Sequence, residues 1–557
     1  MSSIYALTVE KQTLVYLLPE CLIIFAAIAM MTAGAFVRWP RRTWATLTAM
    51  VIGVALVIVS ALPVPDPDLY SSVVAADAFS AFMRLGILLG GLILLGLAHD
   101  QVDDARAPEF FGAFLMVHAG AMLVATANEM VFLFAGLELV SIPTYLLLYL
   151  SRRTEVTQEA AVKYFFLSVF ASGLLLFGMA YLYGLTGISN LKALAFVTHW
   201  KSGAMNLPQP QFATIALVFV LAGLGFRIAA VPFHFYAPDV YQGSPTIVAA
   251  LLSWIPKVVG FAAILRLLTP VFGWEHIPGE VSNLATGSNK ALWLTMVLAV
   301  ITMTLGNTVA LAQDNLKRLL AYSSIAHAGY MLIGVAAAFR NGVDGPESVL
   351  GADSVMYYLA TYGLMTLGTF GVLLALDSRE RPVEKVDDLA GLGRTNFWAA
   401  LALGLCLFSL AGIPPLAGFW GKFRIFQAAL DAAHGADAGT FQFLTIAGAI
   451  NAAIGAYVYL RLIYTMTFKE PVAPAPSCRG SWPTSLAIGA CASLSLVLGL
   501  LPGLISEASS RSGAAVVALP SPVRTGGGVL AKRSAPATTV VQGAPVATTV
   551  PVAAPAH

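Results

Sequence analysis

The chain has 557 residues, of which 58% are hydrophobic and only 11% charged, with a net charge of +2 and a mean hydropathy of +0.79. Soluble globular domains carry about 25% charged residues, so this composition excludes one and defines a polytopic membrane protein. Near-neutral charge with no long basic run offers no field for nucleic acid.

A bilayer crossing needs about 20 apolar residues, and roughly fourteen such helices are expected in an all-α chain. In chain order they fall near 14–36, 43–63, 77–98, 109–127, 129–150, 159–184, 212–231, 245–268, 290–312, 317–338, 353–376, 398–416, 440–467 and 484–505. The opening MSSIYALTVEKQ has neither a basic n-region nor a small-residue cleavage site, so no cleaved signal is expected. From Glu507 to His557 the sequence turns to Ala, Pro, Val and Thr without an apolar period, which predicts a disordered tail.

Loops after odd-numbered spans carry Arg38, Arg41 and Arg42, Arg152 and Arg153, then Arg379, Arg381, Lys385 and Arg394, and finally Lys469 and Arg479. Those after even-numbered spans, such as PVPDPDLYSS and RNGVDGPES, are acidic or nearly uncharged. The positive-inside rule places the basic loops in the cytoplasm and both termini outside. Cys21, Cys406, Cys478 and Cys491 form no CxxC, and neither GxGxxG after a strand nor GxxxxGK[ST] occurs. No redox or nucleotide chemistry is expected of this chain.

Ionisable groups inside apolar spans are costly and mark ion or proton pathways. The stretch LAGLGFRIAAVPFHFYAPDVYQGSPTIVAALLSWIPK, residues 221–257, holds Arg227 in an apolar run, breaks at Pro232, passes His234 and Asp239, and re-enters an apolar helix holding Lys257. Proline removes a backbone donor, and non-helical backbone at membrane depth survives only where protein or water satisfies it. Glu138 follows the apolar run MVFLFAGL and must be paired or protonated. Lysine suits proton transfer because it can cycle between charged and neutral forms, which arginine cannot. Lys257, deep in its span, and Lys422, after GIPPLAGFWG, are candidates of that kind, a snorkelling helix-end lysine being the other reading of Lys422. Lys163, after TEVTQEA, reads either as an interfacial lysine or as a relay, and Lys317, beside Arg318, reads first as a positive-inside residue. His234 and His327 are each either structural or proton carriers. Glu20 reads as a carboxylate at a helix start.

The blocks 109–268 and 290–467 each contain five spans with one broken helix, the second at Pro414 and Pro415. An odd number of spans per block predicts two inverted repeats, flanked by spans 1–3 within residues 1–108, a last span at 484–505 and the tail 507–557.

The motifs LLPE (17–20), GLELVSIP (136–143), AAVKYFFLS (160–168), VPFHFYAPDVYQGSP (231–245), DNLKRLLAYSSIAHAGY (314–330) and SLAGIPPLAGFWGKF (409–423) occur in one order along residues 14–505. In them the chain resembles the antiporter-like membrane subunits of bacterial respiratory complex I, and PDVYQGSP favours the N branch over the paralogous L and M branches. The resemblance implies proton translocation driven by redox chemistry in other subunits, which would bind the NADH, FMN, iron–sulfur clusters and quinone. It also implies an adjacent antiporter-like subunit and small membrane subunits as partners in the bacterial cell membrane. Carried over by motif, Glu138, Lys163, Arg227, His234, Lys257, Lys317, His327 and Lys422 are the implied proton-translocation residues. The family usually has lysine where this chain has Arg227, which can serve only as a fixed charge, with Glu138 as its expected partner. A related cation/proton antiporter subunit and a passive scaffold are the alternatives.

Overall fold

Long apolar runs give helices that satisfy their own backbone, and the described residues of the computed structural model, 13–62, 73–151, 154–200, 210–272, 285–340, 350–377, 383–433, 438–471 and 480–517, are mainly helical. In chain order they are α1 Leu18–Gly34, α2 Arg41–Ala61, α3 Ala78–Ala98, α4 Ala107–Thr126, α5 Met130–Ser151, α6 Glu155–Thr186, α7 Leu191–Trp200, α8 Pro210–Arg227, α9 Tyr236–Gly243 and α10 Thr246–Ala263. After a π-helical segment at 264–268 follow α11 Thr269–Phe272, α12 Ala285–Leu311, α13 Leu316–Arg340, α14 Leu350–Leu376, α15 Leu392–Thr395, α16 Phe397–Ala411, α17 Ala417–Asp431, α18 Ala438–Phe468, α19 Trp482–Leu500 and α20 Gly503–Val517. Among the described residues eleven helices are long and apolar enough to cross a membrane, and three shorter apolar ones, at Leu18–Gly34, Phe212–Arg227 and Phe397–Ala411, complete the expected fourteen.

Hydrogen bonds between helix ends define two faces. On one, carrying the basic loops, Arg41 N donates to Asp104 (2.9 Å), Thr157 Oγ1 to Gly243 O (2.8 Å) and Leu316 N to Glu384 O (2.7 Å). On the other, Tyr16 and Ser80 share a hydroxyl contact (2.8 Å), Ala75 N donates to Thr126 O (2.8 Å) and Met130 N to Ser189 O (2.9 Å).

The centre of the bundle is α10, every residue of which is buried. A helix apolar all round belongs in the interior, and this one carries Lys257 there. Its Trp254 is seated between two glycines: a Cβ on Gly90 of α3 would lie 2.0 Å from the indole, and one on Gly363 of α14 would lie 2.4 Å from it. The indole Nε1 also donates to Leu359 O (3.2 Å).

One expectation is corrected. The tail does not begin at 507: α20 extends to Val517 on the opposite face, with Ser509 and Ser512 buried and Ser512 Oγ donating to Ala78 O (3.1 Å). Its side toward the bundle is built of small residues, which permit close approach but carry little apolar signal. The rest of the tail lies outside the described residues. Glu20 stands in the first turn of α1, as expected, and is fully buried and paired with Arg84 at 2.5 Å.

Candidate functional site

Both broken spans stop in the same way. In α8, Ala230 N bonds Gly225 O (2.8 Å) and Ala229 N bonds Phe226 O (3.0 Å), with Ala229 at φ +57°. In α16, Ile413 N bonds Phe408 O (3.1 Å) and Gly412 N bonds Ser409 O (3.0 Å), with Gly412 at φ +85°. This is the Schellman cap, which requires a left-handed residue after the helix. Glycine supplies it in the second break, whereas the first holds an alanine there at a cost of about 1–2 kcal/mol.

Arg227 ends α8 and is 4% exposed. Its guanidinium donates to Glu138 Oε1 of α5 at 2.8 Å, to Ser172 Oγ of α6 at 2.9 Å, and to Ser141 Oγ. Ser172 in turn donates to Glu138 Oε1 at 2.5 Å. The expected Arg227–Glu138 pair is therefore present. The two serines were not foreseen, because an isolated serine in an apolar helix carries no sequence signal.

Beyond the first break, Lys257 projects from α10 to Ser324 Oγ of α13, which also accepts from Tyr362 Oη of α14 (2.9 Å). His327, one turn beyond Ser324, is held at both ring nitrogens by phenols: Nδ1 meets Tyr358 Oη at 2.6 Å and Nε2 meets Tyr459 Oη at 2.8 Å. Tyr459 Oη also contacts Ser323 Oγ (2.5 Å). At the second break, Lys422 Nζ donates to Leu410 O (2.9 Å) and Ala411 O (3.0 Å), carbonyls of the last turn of α16. A cation is favoured there by the negative end of the helix dipole. Lys422 Nζ lies 5.3 Å from the Tyr330 ring, and that ring lies 5.7 Å from His327. The row thus runs Lys257, Ser324, Tyr362, His327, Tyr358 and Tyr330, then Lys422. Its tyrosines were missed because their apolar bodies read as core.

Other candidates stand apart. Lys163, 39% exposed, pairs with Glu159 (2.6 Å) and with Asp239 of α9 (2.9 Å), which Arg318 also holds (2.6 Å). Lys317 Nζ donates to Ser244 O (2.8 Å) and lines a polar cavity of about 360 Å³ on the basic face, with Asp103, Arg106, Asp377 and Glu384. His234 lies half-buried between α8 and α9, its Nδ1 without a hydrogen-bond partner. Lys163 and Lys317 bond Asp239 and Ser244 of the segment after the first break, and among the described residues no group of three metal-ligating side chains occurs. Buried pairs at the opposite face, Glu20–Arg84, Asp77–Arg266 (2.5 Å) and Asp353–Arg424 (2.5 Å), were not expected.

Residues 127–455 match the family described as NADH:quinone oxidoreductase/Mrp antiporter, TM. The NADH-quinone oxidoreductase subunit N of Paramagnetospirillum magneticum is 35% identical over 473 residues, covering 83% of this chain and 90% of that relative. A chain of respiratory complex I from Thermus thermophilus superimposes with a TM-score of 0.69 at 31% identity, covering 88% of this chain and 99% of that one. A chain of the Mrp complex from Dietzia sp., with a TM-score of 0.73 at 23% identity over 90% of this chain and 98% of that one, shares the fold. The broken helices and buried charges thus sit within a sequence likeness that spans nearly all fourteen crossings, and the chain belongs to the antiporter-like membrane subunits of NADH-quinone oxidoreductase, the complex I family that includes subunit N.

Proposed function

We propose that this chain translocates protons as the non-redox membrane subunit of a NADH:quinone oxidoreductase, with NADH, FMN, iron–sulfur clusters and quinone held by other subunits. The observation that carries the reading is the row of buried lysines, histidine and hydroxyls from Lys257 to Lys422, flanked by the Arg227–Glu138 pair. Such groups in a membrane interior are costly to a passive scaffold and useful to a proton path. Hydroxyls both donate and accept, so with intervening water they can pass a proton between the lysines. The cavity at Lys317 is the entry, lined in part by Gly243 and Ser244 of the PDVYQGSP turn. Arg227 acts as a fixed charge that sets the field of the path through Glu138. Lys163, His234 and Lys317 act at its approaches.

The basic loops face the cytoplasm of a bacterial cell, which leaves both termini outside. The partners are an adjacent antiporter-like subunit, small membrane subunits and the surrounding lipid. We also assign the blocks 109–268 and 290–467 as inverted repeats, a reading supported by their matching helix caps. Lys257→Met in the assembled complex should abolish this subunit's share of proton pumping in sealed vesicles. Normal pumping with normal assembly would remove Lys257 from the path.

A further inference from the structure

We infer that Asp353, Arg424 and Ser510 form an outlet latch in which Asp353 accepts the proton leaving Lys422, an inference that rests on the proton-translocating reading above. Asp353 lies in the first turn of α14 and its side chain is 2% exposed. Its Oδ2 accepts from Arg424 Nη2 (2.5 Å) and from Ser510 Oγ of α20 (2.9 Å), while Oδ1 is buried with no hydrogen-bond partner. Tyr357, four residues on and so on the same helix side, lies under the Arg424 guanidinium (4.9 Å). Its hydroxyl is a second buried polar atom without a partner. These are two of twelve such bare buried side-chain atoms among the described residues, and on one helix side, beside the Arg424 ion pair, they make a place where a passing proton or water can be received.

The geometry orders these groups. Arg424 is two residues beyond Lys422 on α17. A Cβ on Gly421 would lie 2.3 Å from the Tyr358 ring and 3.1 Å from Thr361 Oγ1, so Lys422 is level with that part of α14. Asp353 is five to eight residues nearer the opposite face, about 8–12 Å along the helix at 1.5 Å per residue. Tyr357 occupies the interval. In the transfer an N–H bond of the Lys422 ammonium breaks, the proton passes through hydroxyl and water, and an O–H bond forms on Asp353 Oδ1. A neutral amine and a neutral carboxyl remain, and Arg424 keeps its proton throughout. The neutral carboxyl no longer holds Arg424, which is 17% exposed and can turn toward water. Asp353 then loses its proton to that water and the pair re-forms. On the basic face Lys163 and Asp239 make the counterpart with the charges exchanged, again joining the segment after a break to the first half of the helix before it.

The test is proton pumping per NADH oxidised by the intact complex in proteoliposomes. Asp353→Asn should fall to the level of Lys422→Ala, Asp353→Glu should retain pumping, and formate should restore Asp353→Ala several-fold by supplying a mobile carboxylate. Formate should leave Lys422→Ala unrestored. If Asp353→Asn fails to assemble, the charge-neutral pair Asp353→Asn with Arg424→Gln is read instead and should assemble without pumping. Normal pumping by either, or no formate rescue, overturns the latch. If Lys422→Ala also pumps normally, it is the proton-translocating reading itself that fails.

Discussion

Removing the guanidinium of Arg227 tests the first half of the path. Arg227→Ala deletes three interhelical bonds, to Glu138, Ser141 and Ser172, and leaves Glu138 with the single donor Ser172. Interhelical side-chain bonds in bilayers are worth about 0.6–1.7 kcal/mol each, so three give roughly 2–5 kcal/mol. Breaking a buried ion pair from one side costs about 3–5 kcal/mol. Glu138 is 23% exposed, which lets water solvate the orphaned carboxylate and favours the lower end, about 3 kcal/mol. Arg227→Lys keeps the charge and loses the fork, and since an ammonium with three donors can hold the carboxylate and one hydroxyl, it forfeits one hydroxyl bond, about 1 kcal/mol. The two changes therefore separate charge from geometry. Opening can be read inside the intact complex by thiol labelling of Cys406 and Cys491, which are buried and free, after Cys21 and Cys478 are replaced by serine. Arg227→Ala should speed labelling about 100-fold or more and lose most pumping, while Arg227→Lys should pump and label within about tenfold of the parent. The double change Arg227→Ala with Glu138→Ala should cost less than the two singles together by at least about 1 kcal/mol. Additive costs, or an Arg227→Ala chain that labels and pumps like the parent, would refute the pairing.

Tyr358→Phe removes a phenol from His327 Nδ1 and should cost about 0.5–1.5 kcal/mol with a pumping loss much larger than that stability change implies; equal pumping sinks the phenol relay. Gly421→Ala drives a methyl into the Tyr358 ring and should destabilise by about 1–3 kcal/mol, measured by the same labelling, with pumping reduced in parallel. Ala229→Gly relieves a left-handed alanine and should be neutral or stabilising by at most about 1 kcal/mol; a loss greater than that contradicts the cap assigned to α8. Asp387→Asn breaks an exposed pair with Lys469 and should change labelling by less than about 1 kcal/mol.

What the sequence made legible follows from what each residue costs. An arginine and a glutamate in apolar spans cannot be solvated there, so their pairing could be anticipated before any coordinates. The lysines could be named for the same reason. Ser141, Ser172, Ser324, Tyr358 and Tyr459 could not, since a hydroxyl in an apolar helix can bond its own backbone and a tyrosine ring packs like any other aromatic. Only the fold brings them to a charged group. Glu20 was placed at its helix start, but its partner Arg84 was not foreseen, because a carboxylate in the first turn has a sufficient local explanation and Arg84 is sixty-four residues away. Helix α20 escaped because Ser509, Ser512 and Gly513 dock by closeness: a Cβ at Gly513 would meet Asp353 N at 2.8 Å. The signal was a stripe of small residues four apart, which looks like low complexity when no partner surface is known.

Trp254 seated between Gly90 and Gly363 has a mechanical consequence. An aromatic wedge in contact with backbone on two sides cannot be slid past or turned without opening a void or a clash, because packed interiors are bistable and resist continuous deformation. The helix that carries Lys257 is therefore a strut, keyed one turn from the lysine itself. Transporters that expose their cargo by rocking one bundle against another need their central helices to swing. This one is held in place at Trp254, so on the proton-translocating reading the work that reaches Lys257 arrives as a change of field and of wetting, with side chains and water moving about a fixed point of the backbone.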